Sequence, residues 1–267
     1  LSVGLLLGTI VVERGVLNTQ RTALVEGIQK DLNKVRTSNQ DLKTANDALV
    51  SFASASSGVL VRGALTGRVV VIVADPDSAE TVARASETVR QAGGTPVVAT
   101  FTSPGLSLGE AAVVAAVSGP LGSPPGDQLR SRVADALARE WTTPNDPRTV
   151  TSALTSAGGL KLQGLEPGAI VAGTVVSAVY ASVPDTGALT LARSLATPAR
   201  PAVGVETAAR ATGQANAAVA EGLSAVDDID SPMGQVSLVW VLATRATGHF
   251  GLGEGADAAF PQPLLSQ

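Results

Sequence analysis

The sequence predicts an α/β fold carried behind a long N-terminal helix, and two observations predict it. From residue 68 onward, short β-branched runs alternate with stretches of helical period. Before residue 58 the apolar period is seven: Val25, Leu32, Asn39, Asn46 and Ala53 share one heptad position, and Ile28, Val35, Leu42 and Leu49 share another. The expected architecture is a Rossmann-like three-layer domain with a mostly parallel sheet over residues 58–267. A coiled-coil stalk over 13–57 precedes it, and residues 1–12 read as the end of a truncated transmembrane anchor.

The first twelve residues carry no charge, and Glu13 and Arg14 end the run. A helix that spans a bilayer needs about 20 apolar residues, so the segment is too short as it stands. It reads as the last part of a longer hydrophobic helix, with the apolar start of an ordinary helix or the tail of a signal peptide as alternatives. Heptads follow without a gap. With Val25 and Leu32 at a and Ile28 and Val35 at d, Asn39 and Asn46 form two polar a layers in succession, an arrangement that favours a parallel dimer in fixed register. The predicted interface is Val25, Ile28, Leu32, Val35, Asn39, Leu42, Asn46 and Leu49; Asp31 at g faces Arg36 at e of a parallel partner. The small residues of 51–57 and Gly58 read as the end of the stalk or a flexible exit from it.

The domain then builds from β-rich and helical segments in turn. Residues 68–75 (Arg-Val-Val-Val-Ile-Val-Ala-Asp) form a central strand apolar on both faces. Pro76 and Ser78 open a helix over 79–91 that Gly93 and Gly94 stop, and 95–101 is the next strand, giving one βαβ unit. A short helix follows over 108–117, then a Gly/Pro loop over 118–126. Residues 127–141 read as an amphipathic helix with Leu129, Val133, Ala136, Leu137 and Trp141 on one side. Helix over 148–157, strand over 168–179, helix over 186–196, strand over 200–206, helix over 207–221 and a short strand over 223–226 complete the alternation. Ser231 as N-cap and Pro232 at the first helical position start a last, deeply buried helix, and the tail from Gly248 wraps the surface.

Composition bounds the chemistry. The 267 residues are 45% hydrophobic but only 3% aromatic, so the core is built from Ala, Val and Leu. A net charge of −4 without a basic block argues against nucleic acid as a partner. There is no cysteine, which removes disulfides and thiolate chemistry together. Asp227, Asp228 and Asp230 would suit a hard cation, but they also stand just ahead of a helix N-terminus, where negative charge is favoured in any case. His249, the only histidine, follows the last helix and reads as a residue easing its carbonyl end. No nucleophile motif surrounds a serine, and the turn after the first strand, Asp75-Pro76-Asp77, lacks the glycines that admit a pyrophosphate. No enzyme activity, cofactor or metal is expected.

The stretch 225–236 (Ala-Val-Asp-Asp-Ile-Asp-Ser-Pro-Met-Gly-Gln-Val), followed by Thr247-Gly248-His249-Phe250-Gly251, resembles the actinobacterial copper transporter family of MctB-like and SteB-like proteins. The resemblance extends over almost the whole chain. It implies an envelope protein spanning the cell membrane once, with the globular domain in the periplasm. MctB-like members are linked to copper efflux and described as channel-forming. SteB-like members pair with SteA in cell separation, through control of a peptidoglycan hydrolase.

The donor set of this chain suits copper poorly. Cu(I) takes several soft ligands, and the sequence offers only Met233 and His249, separated by a helix of roughly 24 Å at 1.5 Å per residue. The sequence alone therefore favours a non-enzymatic scaffold or regulator of cell separation. It would act as a homodimer or with a SteA-like partner and a peptidoglycan hydrolase or its regulator. Copper efflux of the MctB type is the alternative.

Overall fold

A computed structural model describes residues 2–122, 127–164, 171–181, 183–208 and 213–262, with side chains from residue 24 onward except that of Asp127. The side chains of the expected anchor, the end of the loop over 118–126, the start of the strand over 168–179 and part of the helix over 207–221 lie outside the described residues. No helix among the described residues is long and apolar enough to cross a membrane.

The chain divides into two compact units, Leu1–Phe52 and Ala53–Gln267. Helix α1 runs over Ser2–Val61, so it supplies the first unit, and its last turns belong to the second. The expected exit over 51–57 is therefore helical. Its run of Ser and Ala lacks a large apolar seam but contains nothing that terminates a helix, and Ala is the strongest helix former.

The second unit holds a seven-stranded sheet in the order β3-β2-β1-β4-β7-β8-β9. Its parallel members are β1 (Val69–Ala74), β2 (Thr95–Phe101), β4 (Val171–Ser177), β7 (Ala202–Val205), β8 (Ser224–Val226) and β9 (His249–Phe250). The edge strand β3 (Leu160–Gln163) runs antiparallel to β2. A separate hairpin joins β5 (Val179–Tyr180) and β6 (Val183–Pro184).

Alternation along β1 sets the layers, because successive side chains leave opposite faces of a strand. Val71 and Val73 enter one core with α3 (Ala111–Leu121), α4 (Asp127–Thr142), α5 (Thr149–Ser156) and α6 (Thr186–Leu195). Val70 and Ile72 enter the other, with α2 (Ala79–Gln91) and α8 (Pro232–Thr244). Each of these fully buried aliphatic side chains contributes about 1.5–3 kcal/mol of transfer free energy. On α4 the predicted stripe of Leu129, Val133, Ala136, Leu137 and Trp141 is wholly buried. Helix α7 (Gln214–Ala220) packs on β7 and β8.

Three local expectations are corrected. Ser231 does cap α8, accepting from Gly234 N at 2.9 Å, but Ser78 makes no such bond to α2. Its hydroxyl turns instead to Asp75 and to the Ser177 carbonyl, and a 3-10 turn over Pro76–Ser78 opens the helix. The segment after β7 is not helical at Thr207; α7 begins at Gln214 behind Gly213. The tail from Gly248 does not simply wrap the surface, because His249 and Phe250 add β9 to the sheet.

Candidate functional site

Parallel sheets collect ligands beyond the carboxyl ends of their strands, where the strand order reverses. Here β1 feeds β2 on one side and lies beside β4 on the other, so that point is at Asp75 and Ser177. An open cleft of about 510 Å³ lies on this edge, and its walls include Gly105 from the loop after β2, Arg130 of α4, and Tyr180 and Asp185 from the segment after β4. Leu108, Val183 and Pro184 supply apolar surface.

Two buried carboxyl groups lie at this edge. Asp75 is 2% exposed and Asp185 4% exposed. Burial raises the Asp75 carboxyl above the ordinary carboxylate range, against the lowering effect of the Ser78 hydroxyl at 2.6 Å. That hydroxyl has one proton and two acceptors, Asp75 Oδ1 and the Ser177 carbonyl. Asp185 is likewise raised by burial, offset by backbone N–H donors and by the charge of Arg130. Its Oδ1 accepts from Gly105 N at 2.8 Å and from Gly187 N at 3.0 Å, so it caps α6 and ties the β2 loop to that helix. Gly187 has no room for a side chain: a Cβ there would stand 2.5 Å from Gly105 Cα. Tyr180 donates to the Phe101 carbonyl at 2.8 Å, and its hydroxyl is pushed well above the ordinary tyrosine range by burial and then by Asp75, Asp185, Asp77 and Glu110.

Asp227, Asp228 and Asp230 stand just ahead of α8, as the sequence suggests, and each is further held by its own hydrogen bonds. His249 Nε2 lies 3.0 Å from Asp227 Oδ2, with both side chains buried, so His249 is a strand residue facing a carboxylate and not a helix C-terminal residue. Asp227 Oδ1 also accepts from Leu252 N at 3.0 Å and Oδ2 from Gly253 N at 3.0 Å. Gly251, at φ +142°, passes so close that any Cβ would overlap the Asp227 carboxylate. Asp228 takes the Ser231 hydroxyl at 2.8 Å, and Asp230 accepts from Ala208 N at 2.8 Å. The three carboxylates thus serve three different partners. Among the described residues no group of three or more His, Cys, Asp or Glu is placed to hold a metal ion. The soft donor Met233 is on α8, and His249 is turned to Asp227.

The predicted stalk residues lie along one helix and are uncovered: Val25, Ile28, Leu32 and Val35 are each at least half exposed, as are Leu42 and Leu49. Asn39 and Asn46 are exposed between them. Sequence reasoning missed Arg130, Tyr180 and Asp185 at the sheet edge. These three are single residues in separate segments, and only the strand-end rule hinted at where they meet.

No curated protein and no solved structure matches the chain. Residues 1–261 match the family described as copper transport outer membrane protein, MctB. A match over nearly the full length leaves no separate part of the chain to assign elsewhere: the chain belongs to the MctB family of copper transport outer membrane proteins.

Proposed function

We propose that the chain serves copper transport at the cell envelope as an assembling component, anchored through the N-terminal part of α1 and self-associating through the heptad face of that helix as a parallel coiled-coil dimer. The observation that carries the copper role is the family match over residues 1–261. The assembly reading is supported by the row Val25, Ile28, Leu32, Val35, Leu42 and Leu49, an exposed apolar row interrupted by Asn39 and Asn46. Donor chemistry points the same way, since Cu(I) needs several soft ligands and His249 is occupied by Asp227. The strand order supports a Rossmann-like reading of the domain. Copper content of cells lacking the chain tests the role: under copper load it rises, and the full chain restores it. Unchanged copper content in the deletion strain contradicts the proposal.

The same exposed face favours a second reading, a scaffold that meets a SteA-like protein and a peptidoglycan hydrolase during cell separation. The family match supports copper transport better. Co-purification of the chain with a SteA-like protein, lost on Leu32→Asp, would favour the second reading; no co-purification would remove it.

A further inference from the structure

The cleft at the carboxyl edge of the sheet carries an assignment of its own, independent of the copper role. Two of its walls hold buried polar atoms of opposite kind without a partner: Oδ2 of Asp185 and Nε of Arg130. The two side chains do not pair with each other, although the Arg130 charge is felt at Asp185. A buried acceptor and a buried donor left open cost free energy unless something fills them, and a native fold retains few such atoms. Around Asp185 the field is negative, since Tyr180 senses Asp75, Asp185, Asp77 and Glu110 together. Leu108, Val183 and Pro184 line the space with apolar surface. At about 510 Å³ the cleft falls within the range of small-molecule sites, about 300–1,000 Å³.

From this geometry we infer that the cleft binds a small zwitterion of the α-amino acid or short-peptide class, its ammonium group at Asp185 and its carboxylate at Arg130. A bare cation would satisfy Asp185 and leave Arg130 open; a bare anion would do the reverse. A metal ion would need a group of ligands that the described residues do not provide. The backbone holds the site in shape: Asp185 Oδ1 is fixed by Gly105 N and Gly187 N, the Ala188 N–H also acts on the carboxylate, and Oδ2 makes no hydrogen bond.

Calorimetric titration of the full chain tests this with L-alanyl-L-alanine, its N-acetyl form, its C-terminal amide, and L-alanine. The free dipeptide or the amino acid binds, and blocking either end weakens binding about tenfold or more, as expected for losing a hydrogen bond to a charged group. Asp185→Asn keeps the cap on α6 and erases the preference for a free amine over the acetylated form. Arg130→Gln erases the preference for the acid over the amide, and it keeps the test open if Asp185→Asn does not fold. Absence of binding by all four probes, equal binding of blocked and free forms, or unchanged preferences in the folded variants would each overturn the assignment.

Discussion

His249 Nε2 and Asp227 Oδ2 stand 3.0 Å apart in the interior, joining β9 to the end of β8. The pair closes the Gly-rich turn that follows, because the same carboxylate accepts from Leu252 N and Gly253 N. Removing the imidazole takes the ring partner from a buried carboxylate and leaves it its two backbone donors alone. His249→Ala is expected to lower the unfolding free energy by about 3 kcal/mol in urea titration. A change under 1 kcal/mol, within the range of ordinary surface substitutions, would show the pair to be incidental.

Gly251 gives an independent check on the same turn. Its left-handed φ of +142° and the overlap of any Cβ with Asp227 make Gly251→Ala more damaging than its size suggests. The expected loss is about 3 kcal/mol or more, read as a lower urea midpoint with unchanged slope. Gly109→Ala, where nothing lies within 4 Å, is the control and should cost far less.

The buried carboxyl of Asp228 gives a pH-dependent prediction. Burial raises its ionisation above the ordinary value, with the Ser231 hydroxyl opposing and Asp227 and Asp230 adding to the rise. The folded chain then holds this proton at pH values where the unfolded chain has released it. Stability from the group is complete below the unfolded value, about 4, and is lost as pH rises through the raised folded value. Asp228→Asn mimics the protonated form at every pH. Its stability relative to the parent should therefore increase between about pH 4 and pH 7 in parallel urea titrations. A difference that stays flat or falls over that interval would contradict the assignment.

Two polar a layers weaken the proposed seam. Replacing Asn39 and Asn46 together with Leu should lower the dissociation constant of the dimer about tenfold or more in sedimentation equilibrium. An unchanged constant would mean that these residues do not lie in a seam.

What the sequence made visible follows from how much each element depends on its own residues. Strands β1 and β2 were legible because unbroken β-branched runs admit few other structures. Helix α8 was legible from Ser231 and Pro232 alone. By contrast, β3 is four residues of Leu-Lys-Leu-Gln that exist as a strand only because β2 offers an edge. The two-residue β9 depends in the same way on β8 and on the Asp227 contact, so His249 looked like a helix end. The continuity of α1 through residues 51–57 is hidden because a run of Ser and Ala suits a loop by composition and a helix equally well. The cleft was hidden for a different reason: Gly105, Arg130, Tyr180 and Asp185 share no spacing, and only the fold brings them together.

Cellular copper content under copper load, in a deletion strain carrying defined variants at matched abundance, tests most directly that the chain works by assembly. Assembly through α1 requires that the chain with Met233→Leu restores parental copper content, whereas Ile28→Asp with Leu32→Asp does not. Restoration by the Ile28/Leu32 variant together with failure of the Met233 variant would contradict it and place copper on a side chain of this protein.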